Sequence, residues 1–168
     1  MWNKEQKIAI SLIKEIEEVG KEWDILFNFY RDVPRKKILM EIYYIQYYAV
    51  VDAVNAYFKG GSERCRKVLD ALTNFFSKLI LTTDLYANST EYVKNFEERR
   101  SEKITLEKDL YDDKIDASQY YLRKISLLEN RLGSKYILPI WDRVLLTKTI
   151  STINVYIKGA VEKELSTK

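Results

Sequence analysis

Apolar residues return along the chain with a helical period. In the first segment, Asn3 to Asp32, they fall at Ile8, Leu12, Ile16, Val19, Trp23, Leu26 and Tyr30. The steps of 4, 4, 3, 4, 3 and 4 place all seven on one helical face, a spacing no strand produces. One amphipathic helix is predicted there, with Gly20 inside it at a cost of about 1 kcal/mol relative to alanine. Val33-Pro34 ends it, because proline disfavours helix at the residue before it and suits the first turn of the next. A second helix follows from Arg35 to Phe58. It is apolar almost all round, with a thin polar stripe at Glu41, Asp52, Asn55 and Lys59. Such a helix belongs at the centre of a bundle. Lys59-Gly60-Gly61-Ser62 is a turn in which a glycine takes the left-handed cap and Ser62 caps the next helix. That third helix carries Cys65, Val68, Leu69, Leu72, Phe75, Phe76, Leu79 and Ile80 on one face.

Asn88 and Glu91 form a capping-box pattern. The composition then changes: 13 of the 20 residues from Glu97 to Asp116 are charged. Opposite charges sit at helical spacing (Glu97/Arg100, Arg99/Glu102, Lys103/Glu107, Lys108/Asp112), which supports a solvated helix by a few tenths of a kcal/mol per pair. The apolar stripe returns at Tyr121, Ile125, Leu128 and Leu132. Residues 91–132 are therefore either one long charged helix or a pair that breaks near Asp112-Asp113. Gly133-Ser134 closes this region and Pro139 opens a last helix, to about Glu164. Ile153, Val155 and Ile157 alternate as a strand would. The spacing of Leu146, Ile150, Ile153, Ile157 and Val161 favours helix, and a lone strand would have no partner. The expected fold is all-α: one domain over residues 1–168, an up-and-down bundle of five or six helices. Its core is expected from Ile8, Leu12, Ile16, Val19, Trp23, Ile38, Ile42, Ile45, Val50, Leu69, Leu72, Phe76, Leu79, Leu128, Ile150 and Ile157.

Composition narrows the chemistry. The 168 residues include no histidine and one cysteine. Histidine general bases, Ser-His and Cys-His pairs and histidine metal ligands are therefore excluded, and a lone Cys65 cannot build a zinc site or an internal disulfide. No cofactor or metal is expected. Cys65 lies between Arg64 and Arg66, a setting that activates thiols, but it also begins an apolar stripe, which reads as a buried inert thiol. The N-terminal Met1–Lys7 segment is charged and lacks the apolar run of a secretory leader. The most apolar stretch, Ile38 to Phe58, holds Glu41 and Asp52, which argues against a membrane span. A cytoplasmic protein is expected. Scarce glutamine amid abundant Lys, Glu, Ile and Tyr leans towards a thermophile.

The net charge of +3 is too small to indicate nucleic acid by itself. Two basic clusters nevertheless suggest anion or nucleic-acid contact: Arg35-Lys36-Lys37, and Arg64, Arg66 and Lys67 beside the Gly-Gly-Ser turn. The turn lacks the spacing of a P-loop, and an ordinary helix–helix turn explains it as well. Tyr43, Tyr44, Tyr47 and Tyr48 form two ladders at i, i+4, either core or an interface, with Arg99 and Arg100 as further interface candidates. Glu41 and Asp52 stand three turns apart, about 16 Å, too far for a glycosidase pair. Each calls for a Lys or Arg on another helix. The leading expectation is a non-enzymatic helical protein that acts through oligomerisation or a protein partner. A nucleic-acid-associated subunit of a nucleoprotein assembly or virion is the alternative, and a histidine-independent enzyme comes third.

Overall fold

The computed structural model describes residues 3–18 and 23–167, with the side chains of all but 15–18. Among the described residues seven helices make up the bundle: α1 Lys4–Glu18, α2 Asp24–Phe29, α3 Arg35–Tyr57, α4 Glu63–Thr82, α5 Ser89–Tyr111, α6 Ala117–Leu132 and α7 Ile140–Thr167. No strand occurs among the described residues, and the 144–157 segment lies wholly within α7.

The count exceeds the expected five or six because the expected first helix is two. The first segment is two helices, α1 and α2, flanking residues 19–22, which lie outside the described residues together with the expected core residue Val19 and Gly20. Residues 91–132 are a pair. At the end of α5, Asp113 takes a left-handed conformation (φ 55°), while the Asp113 and Lys114 amides donate back to the carbonyls of Leu110 and Asp109. This is a Schellman stop. The chain restarts at Asp116, whose side chain accepts from the Gln119 amide while the Gln119 side chain accepts from the Asp116 amide. The D-x-x-Q signature of that capping box was present in the sequence. The other caps fall where expected. Ser62 caps α4 through the Cys65 amide, and Asn88 caps α5 through the Glu91 amide, although the Glu91 carboxylate reaches the Ala87 amide instead of Asn88. At the 59–61 turn Lys59 itself is left-handed (φ 53°), followed by Gly60 and Gly61.

The nearly all-apolar α3 is the hub, packing on α1, α2, α4, α6 and α7, while α1 lies closest along α4. Burial follows the helical stripes. Ile8, Leu12, Trp23, Ile38, Ile42, Val50, Leu72, Phe76, Leu128, Ile150 and Ile157 are all buried, each side chain of this size contributing roughly 1.5–3 kcal/mol. Ile45, Leu69 and Leu79 are half-buried against that core, and the side chain of Ile16 is outside the described set.

Candidate functional site

The tyrosine ladders of α3 face inward. Tyr44 and Tyr47 are buried, and Tyr43 and Tyr48 are half-buried. Tyr47 stacks on Phe76 at 4.2 Å and its hydroxyl meets Thr73 Oγ1 at 2.8 Å, while the Tyr44 hydroxyl accepts from Tyr86 at 3.0 Å. These two residues are core, satisfied from α4 and the loop that follows it, and are not a free interface. Desolvation pushes all three hydroxyls, on Tyr44, Tyr47 and Tyr48, above the usual tyrosine range.

The carboxylates of α3 organise the other side of the bundle. Glu41 is 1 % exposed and accepts from Arg99 of α5 and, at 2.9 Å, from Arg131 of α6. Arg99 is itself 5 % exposed, lies 4.3 Å over the Tyr44 ring, and donates to Asn95. Arg131 also binds Glu102. Three turns on, Asp52 binds Lys103 at 2.9 Å, and Lys103 binds Glu107 as well. Arg99 is thus an internal counter-charge and not the interface residue expected, because a carboxylate in the middle of an apolar helix must be neutralised. Arg100 is exposed and pairs with Glu97 at 3.7 Å. Of the pairs expected along α5, Glu97/Arg100 and Lys103/Glu107 form, whereas Arg99 and Glu102 turn away to other helices.

A cavity of about 110 Å³ opens between α3, α5, α6 and α7 along this cluster. Glu41 lies at its deep end and Asp52, 55 % exposed, at its mouth. Tyr48, Lys124 and Asn154 line it along with apolar side chains that include Ile45, Leu106 and Leu128.

The basic clusters do not converge. Arg35, Lys36 and Lys37 begin α3, and Arg64, Arg66 and Lys67 follow its far end. A 23-residue helix separates them by about 33 Å at 1.5 Å per residue. Arg35 stacks over Phe27 at 4.4 Å, Arg64 lies over Phe58 at 5.7 Å, and Lys67 pairs with Glu63 at 2.8 Å. Asp32 accepts from Ser134 Oγ and the Lys135 amide, tying the α2–α3 loop to the α6–α7 loop. Cys65 is buried beside Asn55, and desolvation raises its thiol above the usual range, so it is inert. Among the described residues no cluster of acidic, Cys or His side chains suits a metal ion, and no helix is long and apolar enough to cross a membrane.

The feature sequence reasoning missed is the outer face of α7. Its inner face is buried through Leu146, Ile150, Ile153, Ile157, Val161 and Leu165. The opposite face carries apolar side chains too, and they are open: Trp141 is 79 % exposed, Leu145 50 %, Val155 70 % and Tyr156 59 %. At 100° per residue, Trp141, Leu145, Thr152, Val155, Tyr156 and Gly159 fall within one stripe. A Cβ on Gly159 would meet nothing within 4 Å, so nothing in this chain's own packing calls for glycine there. The signal was in the sequence, as a surplus of apolar positions in 137–156 beyond those one buried face uses. Compared with known proteins, the chain matches no family model, no curated protein and no solved structure.

Proposed function

We propose that this chain is a non-enzymatic helical interaction protein that acts by self-assembly through the outer face of α7. The observation that carries this reading is the open apolar stripe around Trp141. A helix apolar on both faces is normally covered on both, and a contiguous exposed patch rich in aromatic residues marks an association surface. Self-pairing suits the stripe. An antiparallel, isologous contact sets the Trp141–Leu145 end of one copy against the Val155–Tyr156 end of the other, and Gly159 lets a second backbone approach closely. Lys148 is the one charge amid the stripe, and its stem can lie along apolar surface with the ammonium in water. The separation of the two basic clusters leaves nucleic acid without a gathered cationic face.

Light scattering on the purified protein tests this, alone and with short mixed-sequence single- and double-stranded nucleic acid at two salt concentrations. The expected mass is at least twice the 20.0 kDa of one chain, unchanged by nucleic acid. A monomer at all concentrations, or a mass that rises with nucleic acid only at low salt, overturns the reading.

A further inference from the structure

We propose that the cavity between α3, α5, α6 and α7 is a binding site for a small carboxylate bearing one hydrogen-bond donor, with the Lys124 ammonium as its counter-charge. The proposal is independent of how α7 associates.

The cavity has polar valences that the protein leaves open. The Tyr48 hydroxyl, Arg99 Nε and Asn154 Oδ1 are buried and find no hydrogen-bond partner among the described residues. Buried groups of this kind normally have partners, because an unpartnered one forfeits its hydration without replacement. Three residues that carry such atoms, one each from α3, α5 and α7, line one cavity. Lys124 completes the set. Its neighbour Lys103 engages both nearby carboxylates, Asp52 and Glu107, leaving Lys124 with no ion pair among the described residues. Its ammonium lies over the Tyr120 ring, 5.3 Å from Nζ to the centroid. Burial pushes the Lys124 amine below the usual lysine range, although Asp52 pulls the other way. Lys103, less deeply enclosed and bonded to both carboxylates, is held above that range.

These groups specify the ligand's chemistry. Lys124, Arg99 Nε and Tyr48 offer donors, which a carboxylate accepts. Asn154 Oδ1 offers an acceptor, which calls for one hydroxyl or amine on the ligand. The apolar walls suit a short aliphatic body. The volume of about 110 Å³ is below the ~150 Å³ of a cavity that holds benzene, so the ligand has no more than about six heavy atoms. Short-chain 2-hydroxy acids fit each of these requirements. Asp52 at the mouth selects against larger polyanions.

The test is a titration followed by amide chemical shifts, using sodium 2-hydroxypropanoate, sodium propanoate and neutral propane-1,2-diol at constant ionic strength. The expected result is saturable shifts at cavity residues with a millimolar Kd for 2-hydroxypropanoate, at least fivefold weaker binding of propanoate, and none of the diol. Lys124→Met and Asn154→Leu should each weaken 2-hydroxypropanoate at least tenfold, while Lys124→Arg, which keeps the charge, retains most of the affinity. Lys124→Met removes a desolvated cation, so it should fold at least as stably as the parent, and its thermal midpoint checks this. Absence of saturable shifts with either carboxylate, equal binding of the diol, or affinity unchanged in Lys124→Met overturns the proposal.

Discussion

Removing the Glu41 charge should be the most damaging conservative change in this protein. Glu41→Gln keeps the volume of a side chain that is 1 % exposed, but it strips the counter-charge from Arg99, itself 5 % exposed. Breaking a buried pair from one side costs about 3–5 kcal/mol. Here the lower end applies. Arg99 keeps its bonds to the Asn95 carbonyl and side chain at 3.2 and 3.1 Å and its seat over Tyr44. Arg131, at 24 % side-chain exposure, keeps Glu102. A loss of about 3 kcal/mol should lower Tm by roughly 6–12 °C in a chain of this size. Urea unfolding followed by circular dichroism measures it, with an unchanged m-value as the sign that the folded and unfolded states are otherwise alike. The double variant Glu41→Leu, Arg99→Met should recover to within about 1 kcal/mol of the parent, since a well-packed apolar pair commonly replaces a buried ion pair without loss. A Glu41→Gln cost under about 1 kcal/mol, or a double variant as unstable as the single, refutes the claim that burial of unpaired charge governs this cluster.

Other consequences are equally direct. Asp116→Ala removes the capping box of α6 and should cost about 1 kcal/mol in the same urea assay. Lys59→Gly should stabilise by up to about 1 kcal/mol, because Lys59 holds a left-handed conformation that glycine adopts freely. Burial also raises the Tyr30, Tyr44, Tyr47 and Tyr48 hydroxyls and brings Tyr120 up to about 12. A folded-state pKa above the unfolded value of 10.0 gives stability that is fully present below pH 10.0 and lost as pH rises through the folded values. Helicity should therefore collapse together with the main rise in tyrosinate absorbance. Ionisation of Tyr30, Tyr44, Tyr47 and Tyr48 near pH 10.0 with helicity intact would contradict their packing in the core.

Much of this architecture was legible in the sequence because it rests on local periodicity and local caps. The stripe through Ile8 and Leu12, the apolar wrap of α3 and the Ser62 cap each follow from residues within a few positions of one another. The demand of Glu41 and Asp52 for cations was legible as well. The identity of those cations was not, because Arg99 and Arg131 lie 58 and 90 residues from Glu41, and any of several basic residues had the same chemistry. The same limit hid the cavity, which is assembled from four helices. Two local signals were passed over: the Asp116–Gln119 box that separates α5 from α6, and the double apolar face of α7. Tyr43 to Tyr48 drew attention as an interface because tyrosine suits both a core and a surface, and only tertiary packing decides between them.

The central claim is that the open face of α7 is where copies of this chain meet. Sedimentation equilibrium of a Trp141→Lys, Val155→Glu variant beside the parent tests it most directly. Both positions are at least 70 % exposed, so the substitutions should leave helicity and thermal midpoint unchanged. The account predicts an oligomer for the parent and a single chain of 20.0 kDa for the variant across the same concentration range. Equal masses for the two proteins would contradict it.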